Sequence, residues 1–190
     1  MAGCLVCIVG PSGAGKDSLI AYARHALASD SQFHFARRVV TRPSTADEDH
    51  DTLSDEAFIE ADLNGEFFLS WRAHFLAYAL RAEVGLLVDS GHCVIANISR
   101  AVLESEVLRR LPCLIVEVTA REDLLAARLA ARGRESGTDI QMRLARKATS
   151  WPADLAHITI DNSGKLQDAG EILLTILRHA SQGMLPQAAV

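Results

Sequence analysis

At 190 residues, 49% of them hydrophobic and 23% charged, the chain is expected to fold as one domain with a substantial apolar core. Its formal net charge of −5 argues against a general nucleic-acid surface, and no apolar run approaches the roughly 20 residues of a membrane span. No basic segment precedes Leu5, and the first apolar run is soon broken by glycines; both points argue against a signal peptide and for a cytoplasmic protein.

Residues 5–9 read as a strand and residues 16–27 as a helix. Between them lie Gly10, Pro11, Ser12, Gly13, Ala14 and Gly15, followed by Lys16, Asp17 and Ser18. Strand, glycine-rich turn and helix are the context a phosphate-binding loop requires. The glycines let successive N–H groups point inward, the helix adds the positive end of its dipole, and Lys16 supplies a mobile charge for the β- and γ-phosphates of a triphosphate. The plainer reading is a glycine-rich turn with a surface lysine. Asp17 stands where the loop pattern asks for Ser or Thr. Mg²⁺ takes hard oxygen ligands, so Asp17 is expected to be a metal ligand; the competing reading has Asp17 favouring the first helical turn and Ser18 serving as the hydroxyl.

Further along, residues 38–41 read as a second strand, carrying Arg38 and followed at once by Arg42. Residues 43–87 then break the rhythm with an acidic loop, a helix over 55–63 and an aromatic segment over 67–78, which suggests an insertion closing over the phosphate loop. The acidic run from Asp47 to Asp51 lacks the glycine and terminal glutamate of a calcium loop and reads as solvated. Strands are expected at 93–97, 114–119 and 157–160, and helices at 100–110, 122–132, 140–149 and 166–179, with a frayed tail over 182–190. This alternation predicts an α/β fold, a three-layer phosphate-loop architecture with a central parallel sheet.

Cys4 and Cys7 form a C-x-x-C spacing, which invites a zinc or redox reading. Both sit on the first strand, where an odd spacing sends them to opposite faces. With Cys93 and Cys113, also in apolar strand-like runs, they read as small buried hydrophobes. The seven histidines show no ligand spacing; only His74 draws notice, near Trp71 and Tyr78.

The layout resembles the guanylate kinase branch of the phosphate-loop kinases. The carriers are the Gly-Pro-Ser-Gly-Ala-Gly-Lys loop, Thr41-Arg42-Pro43, Leu53-Ser54 with Phe58, and Gly65-Glu66-Phe67 through Trp71, His74 and Tyr78. The departures are Asp17, the absence of a second Arg and a Gly-Glu pair after Pro43, and Ala96-Asn97-Ile98-Ser99-Arg100 where that branch carries Asp-x-Asp. They are similar to a narrower family, the ribose 1,5-bisphosphate phosphokinases of phosphonate catabolism. That family shares Gly-Lys-Asp-Ser, Leu-Ser-Trp with a nearby Tyr, Asn-x-Ser-Arg and Arg-Gly-Arg-Glu. Ala79 departs from the glycine usual after Tyr78, which puts the local geometry there in question.

The resemblance implies transfer of the ATP γ-phosphoryl group to the C1 phosphate of ribose 1,5-bisphosphate, giving 5-phosphoribosyl 1-diphosphate. It also implies a single guanylate kinase-like domain with an acceptor-binding insertion (43–87) and a lid (132–146). The acceptor would be held by Arg38, Arg42, Asn97, Ser99, Arg100 and Tyr78, with Trp71 and His74 lining the sugar pocket; for Trp71, core packing is an equal competitor. Asn97 could bond a ribose hydroxyl or hold a water on Mg²⁺. Arg128, Arg132, Arg134, Arg143 and Arg146 would belong to the lid, with Arg132 and Arg143 acting with Lys16 in catalysis, and backbone around Asn162 would meet the adenine. Partners are ATP and a sugar bisphosphate, with neither nucleic acid nor membrane; a homodimer stays open. Two other readings compete: a GMP or other nucleoside monophosphate kinase, and a non-catalytic interaction module. Retention of Gly15 and Lys16 weighs against the module.

Overall fold

The computed structural model describes residues 3–43, 49–73, 75–131, 152 and 154–185. The expected lid, with Arg132 and Arg143, lies outside the described residues, as do His74, Asp47, Glu48, the helix expected at 140–149 and the last part of the tail.

Strands β1 (Cys4–Val9), β2 (Phe33–Phe35), β7 (Cys93–Asn97), β8 (Cys113–Thr119) and β9 (Ala156–Asp161) form a five-stranded sheet in the order β2-β7-β1-β8-β9. All its pairings are parallel. A parallel sheet must be covered on both faces, and the alternation along β1 shows how. Cys4, Val6 and Ile8 pack into one core with Leu19 and Ala23 of helix α1 (Lys16–Ala26) and Leu173 and Leu177 of helix α6 (Leu166–Ser181). Leu5, Cys7 and Val9 face the opposite core, with Val84 and Val88 of helix α3 (Glu83–Asp89) and Leu108 of the short helix α4 (Glu106–Arg109).

The cysteines follow the same period. Cys4 Sγ lies 3.5 Å from Cys93 Sγ in the first core, and Cys7 Sγ lies 3.6 Å from Cys113 Sγ in the second. All four are free and buried. The contact with Cys113, reinforced by burial, pushes the Cys7 thiol well above its ordinary pKa, as suits an inert core residue.

A second sheet, in the order β4-β3-β6-β5, is built from β3 (Arg38–Val40), β4 (His50–Thr52), β5 (Phe67–Ala73) and β6 (Leu76–Arg81). Residues 38–41, expected in the central sheet, belong here instead. The place beside β7 is taken by β2, a strand the sequence reading passed over because it is only three residues long. Ala36 still bonds β7, its N–H donating to the Ile95 carbonyl at 2.9 Å, and the chain changes sheets at Arg37. Helix α2 (Asp55–Leu63) spans the expected residues, with Ser54 accepting from the Ala57 N–H at 3.1 Å as its N-cap. The helix expected over 100–110 is broken in two, because Ser99 and Ser105 each accept from a backbone N–H two residues on and start separate turns. Ala79 lies fully buried within β6, so the missing glycine is accommodated by ordinary strand backbone. Helix α5 (Glu122–Ala131) follows β8. Gly183, at φ 76°, closes α6, and its N–H donates to the Ala180 carbonyl at 3.0 Å. Residues 182–185 thus form an ordered cap where fraying was expected.

Leu173 has no exposed surface and sits between α6 and the sheet. Leu173→Ala is expected to lower the unfolding free energy by about 2–5 kcal/mol, read as a reduced urea midpoint with unchanged slope.

Candidate active site

The loop between β1 and α1 turns through left-handed backbone. Gly10 has φ 142° and Gly15, the N-cap of α1, has φ 89°. A Cβ at Gly10 would lie 2.0 Å from the Val118 carbonyl oxygen, and one at Gly15 would lie 2.4 Å from Asn162 Nδ2. Neither position admits another residue without moving a neighbour. Lys16 Nζ donates to the carbonyls of Gly10 and Pro11, each at 3.0 Å, and so spans the mouth of the loop.

From behind, the loop is braced by two residues the sequence reading placed elsewhere. Asn162, 3% exposed, donates from Nδ2 to the Ala14 carbonyl at 2.8 Å. Arg128 donates to the Gly13 carbonyl at 3.4 Å and to the Asn162 carbonyl at 3.1 Å. Asn162 was expected near an adenine through its backbone and Arg128 in the lid; here both side chains hold the carbonyl side of the phosphate loop.

Asp17 lies in the first turn of α1 and is about half exposed. Its Oδ1 accepts from Asn97 Nδ2 at 2.7 Å and lies 3.7 Å from Arg38 Nη2. Asn97 ends β7 opposite Ile8 of β1, where the sheet order reverses and α/β folds open their binding crevice. Three residues picked from sequence thus meet at one point. Arg42 sits just past β3, half-buried, with its carbonyl accepting from Thr52 Oγ1 at 3.1 Å. Ser18 is exposed on α1.

A cleft runs from this point along α1, lined by Asp17, Arg24, Arg38, Asp49 and Asn97 over a floor that includes Ile95. Asp49 and Asp51 of the acidic run are therefore not simply solvated, although Asp49 stays about half exposed. Asp49 is ion-paired to Arg24 and to Arg37 (2.7 Å), and Asp51 to Arg37 (2.9 Å) and Arg81 (3.5 Å). The partners come from α1, β6 and the segment before β3, distances along the chain that no local pattern reveals. The Arg24 hydrogen bond holds the Asp49 carboxyl below its ordinary range. Asp49 therefore stays ionised at neutral pH, and its pairing is lost only as pH falls through that depressed value.

Arg100 and the aromatic residues are placed differently. Arg100 reaches across the end of β1, and its Nη2 lies 2.6 Å from Glu117 Oε1 on β8; both side chains are largely buried. Ser99 Oγ accepts from the Ala101 N–H at 3.2 Å as a cap. Trp71 is 8% exposed within the second core and stacks on its cross-strand partner Tyr78, ring centroids 5.6 Å apart and 9° from parallel. Trp71 is thus packed in the second core, while Tyr78 stays half-buried.

No protein-family model matches the chain. Among curated proteins it is 48% identical to the ribose 1,5-bisphosphate phosphokinase PhnN of Methylobacterium radiotolerans, over 94% of this chain and 99% of that one. It is 42% identical to the PhnN enzyme of Agrobacterium fabrum, over 96% of this chain and all of that one. The chain belongs to the ribose 1,5-bisphosphate phosphokinase family. It also matches a bifunctional ribose 1,5-bisphosphokinase-thymidine phosphorylase of Cupriavidus pinatubonensis at 45% identity, spanning 31% of that longer protein. Among solved structures, a guanylate kinase from Anaplasma phagocytophilum superposes with a TM-score of 0.68 at 15% identity, covering 95% of this chain and 87% of that one. A gluconokinase from Sinorhizobium meliloti gives 0.53 at 16%, covering 96% and 95%. The fold is that of the guanylate kinase-like phosphate-loop proteins.

Within this phosphokinase, Glu117, Arg24 and Asp49 are charged residues of the candidate site region that sequence reasoning missed. A signal existed for two of them. Glu117 is the one charge inside the apolar run Cys113–Val118, and Arg24 falls seven residues after Asp17, on the same helix face. Asn162→Ala is expected to weaken triphosphate binding about tenfold, because the loop carbonyl of Ala14 loses a buried donor. Titration of a fluorescent nucleotide, with the melting temperature as a control for folding, measures it.

Proposed function

We propose that this chain transfers the γ-phosphoryl group of ATP to the C1 phosphate of ribose 1,5-bisphosphate, giving 5-phosphoribosyl 1-diphosphate and ADP, as a step of phosphonate catabolism. The observation that carries the reading is the meeting of Asp17, Asn97 and Arg38 at the mouth of the phosphate loop, at the head of a cleft that also holds Arg24. A doubly phosphorylated acceptor is recognised by guanidinium forks, whereas a purine needs a flat face and groups that read its edge.

An oxygen of the C1 phosphate is already an anionic nucleophile, so no general base is needed. It forms a bond to Pγ as the bond from Pγ to the β–γ bridging oxygen breaks, and the electron pair leaves on ADP. Such transfers rely on positioning and charge neutralisation. Lys16 serves the β- and γ-phosphates, Arg38 and Arg42 fork onto the acceptor phosphate, and Tyr78 donates to it. Arg132 and Arg143 supply lid charge to the migrating group, where cations stabilise the transition state most.

Mg²⁺ fits the residues present. Asp17 offers a half-exposed carboxylate beside Lys16, and its Oδ1 is already held by Asn97 and Arg38. Its Oδ2 has no hydrogen bond or ion pair among the described residues. Mg²⁺ binds through one or two carboxylates, waters and substrate phosphates and does not need an all-protein cage. When bound, the ion neutralises phosphate charge.

Two measurements test this reading. An assay with ATP and Mg²⁺ should form 5-phosphoribosyl 1-diphosphate from ribose 1,5-bisphosphate with little turnover of GMP; strong GMP turnover without the sugar product would overturn the acceptor assignment. Asp17→Asn keeps the Asn97 contact but removes the charge. It is expected to raise the Mg²⁺ concentration for half-maximal rate by about tenfold or more, and an unchanged Mg²⁺ dependence would remove Asp17 from the metal site.

A further inference from the structure

We propose that Arg24 and Arg37 form a second phosphate subsite, which takes the C5 phosphate of the acceptor, and that Asp49 fills it with a carboxylate until the acceptor arrives. This rests on the reading of the acceptor as a sugar bisphosphate.

Five features point to it. Asp17, Ile20, Ala21 and Arg24 line one cleft from one face of α1, and the Arg24 backbone lies about 10 Å along the helix from that of Asp17, at the helical rise of about 1.5 Å per residue. That separation suits a furanose ring with phosphates at C1 and C5. The stretch between the two ends is walled by Ile20, Ala21, Ala36 and Ile95, apolar surfaces suited to the carbon faces of a sugar.

At the far end, Asp49 bridges two guanidiniums from different elements. Its Oδ2 meets Arg24 Nη1, and its Oδ1 lies 2.7 Å from Arg37 Nε. A carboxylate in a guanidinium fork presents oxygens much as a phosphate does. The match is incomplete in one respect. Arg24 Nε is buried and has no hydrogen-bond partner. A buried N–H without an acceptor is costly. A phosphate monoester brings three terminal oxygens where a carboxylate brings two, and the third has this donor to meet. Arg24 is also held in orientation, its guanidinium 5.7 Å from the centroid of the Phe35 ring.

The alternative is that Arg24 and Asp49 merely tie the second sheet to α1. Two acceptors that differ only in the C5 phosphate separate the ideas. For Arg24→Ala, KM for ribose 1,5-bisphosphate is expected to rise about ten- to a hundredfold, the loss of a charge-assisted contact, with KM for ATP unchanged. The kcat/KM for ribose 1-phosphate should not change, and Arg24→Lys should recover part of the loss. Asp49→Asn is expected to lower KM for the bisphosphate, since it removes the competitor. An equal fall on both acceptors in Arg24→Ala, or a rise in KM in Asp49→Asn as large as that in Arg24→Ala, would make the bridge a structural tie and overturn the proposal. Calorimetric binding of ribose 5-phosphate, which carries only the C5 phosphate, gives a readout without turnover. It should bind the wild-type protein and not Arg24→Ala, and equal affinity for the two would also overturn the subsite. If the wild-type protein fails to phosphorylate ribose 1,5-bisphosphate, the functional reading falls, while the ribose 5-phosphate comparison still decides the subsite.

Discussion

A hydrogen bond of 2.7 Å, from Asn97 Nδ2 to Asp17 Oδ1, joins the end of one strand to the helix that follows the neighbouring strand's loop. It exists because β7 and β1 run parallel and adjacent, so that their C-terminal ends emerge together, with Asn97 level with Ile8. Asn97 is 7% exposed, and a buried amide requires partners. Asp17 supplies one, and its carboxylate is thereby aimed by the sheet instead of by solvent. Arg38 reaches the same oxygen from the second sheet, so both sheets are indexed to one atom beside the phosphate loop. The braces behind the loop, Asn162 and Arg128, fix it from the opposite side.

The charges around this point alternate. Arg38 faces Asp17; Arg24 and Arg37 share Asp49; Arg37 and Arg81 share Asp51. Most of these side chains are a third to a half exposed, where ion pairs contribute little to stability. Their effect is geometric: carboxylates keep several guanidiniums close together and oriented. Arg100 and Glu117 are the exception, with side chains 20% and 13% exposed. In such a pair desolvation offsets much of the attraction, and removing one partner leaves a costly buried charge.

The phosphate loop, the parallel sheet and the opposite-facing cysteines were legible because each rests on a local pattern: a motif between a strand and a helix, apolar runs, and period two. Ser54 and its helix were legible for the same reason. The division of 33–40 between two sheets was not, because Phe33-His34-Phe35 and Arg38-Val39-Val40 are each only three residues long and the turn between them has no Gly or Pro. The breakage of 100–110 turned on serine caps, whose weight against helical periodicity depends on tertiary packing. Asp17, Asn97 and Arg38 were found as separate residues. Their convergence is a property of strand order, which the chain does not spell out. The ion pairs of Asp49 and Asp51 are not legible because their partners, Arg24, Arg37 and Arg81, are scattered along the chain.

The aromatic residues bear on what kind of acceptor the fold can take. A nucleotide base is bound by a face and an edge. Here Trp71 is buried in the second core and stacked on Tyr78. The cleft beyond Asp17 is walled instead by aliphatic side chains and ended by arginines. Aliphatic walls suit the carbon faces of a sugar, and guanidiniums suit its phosphates. The fold shared with a guanylate kinase does not by itself set what the crevice takes; the side chains that line it do.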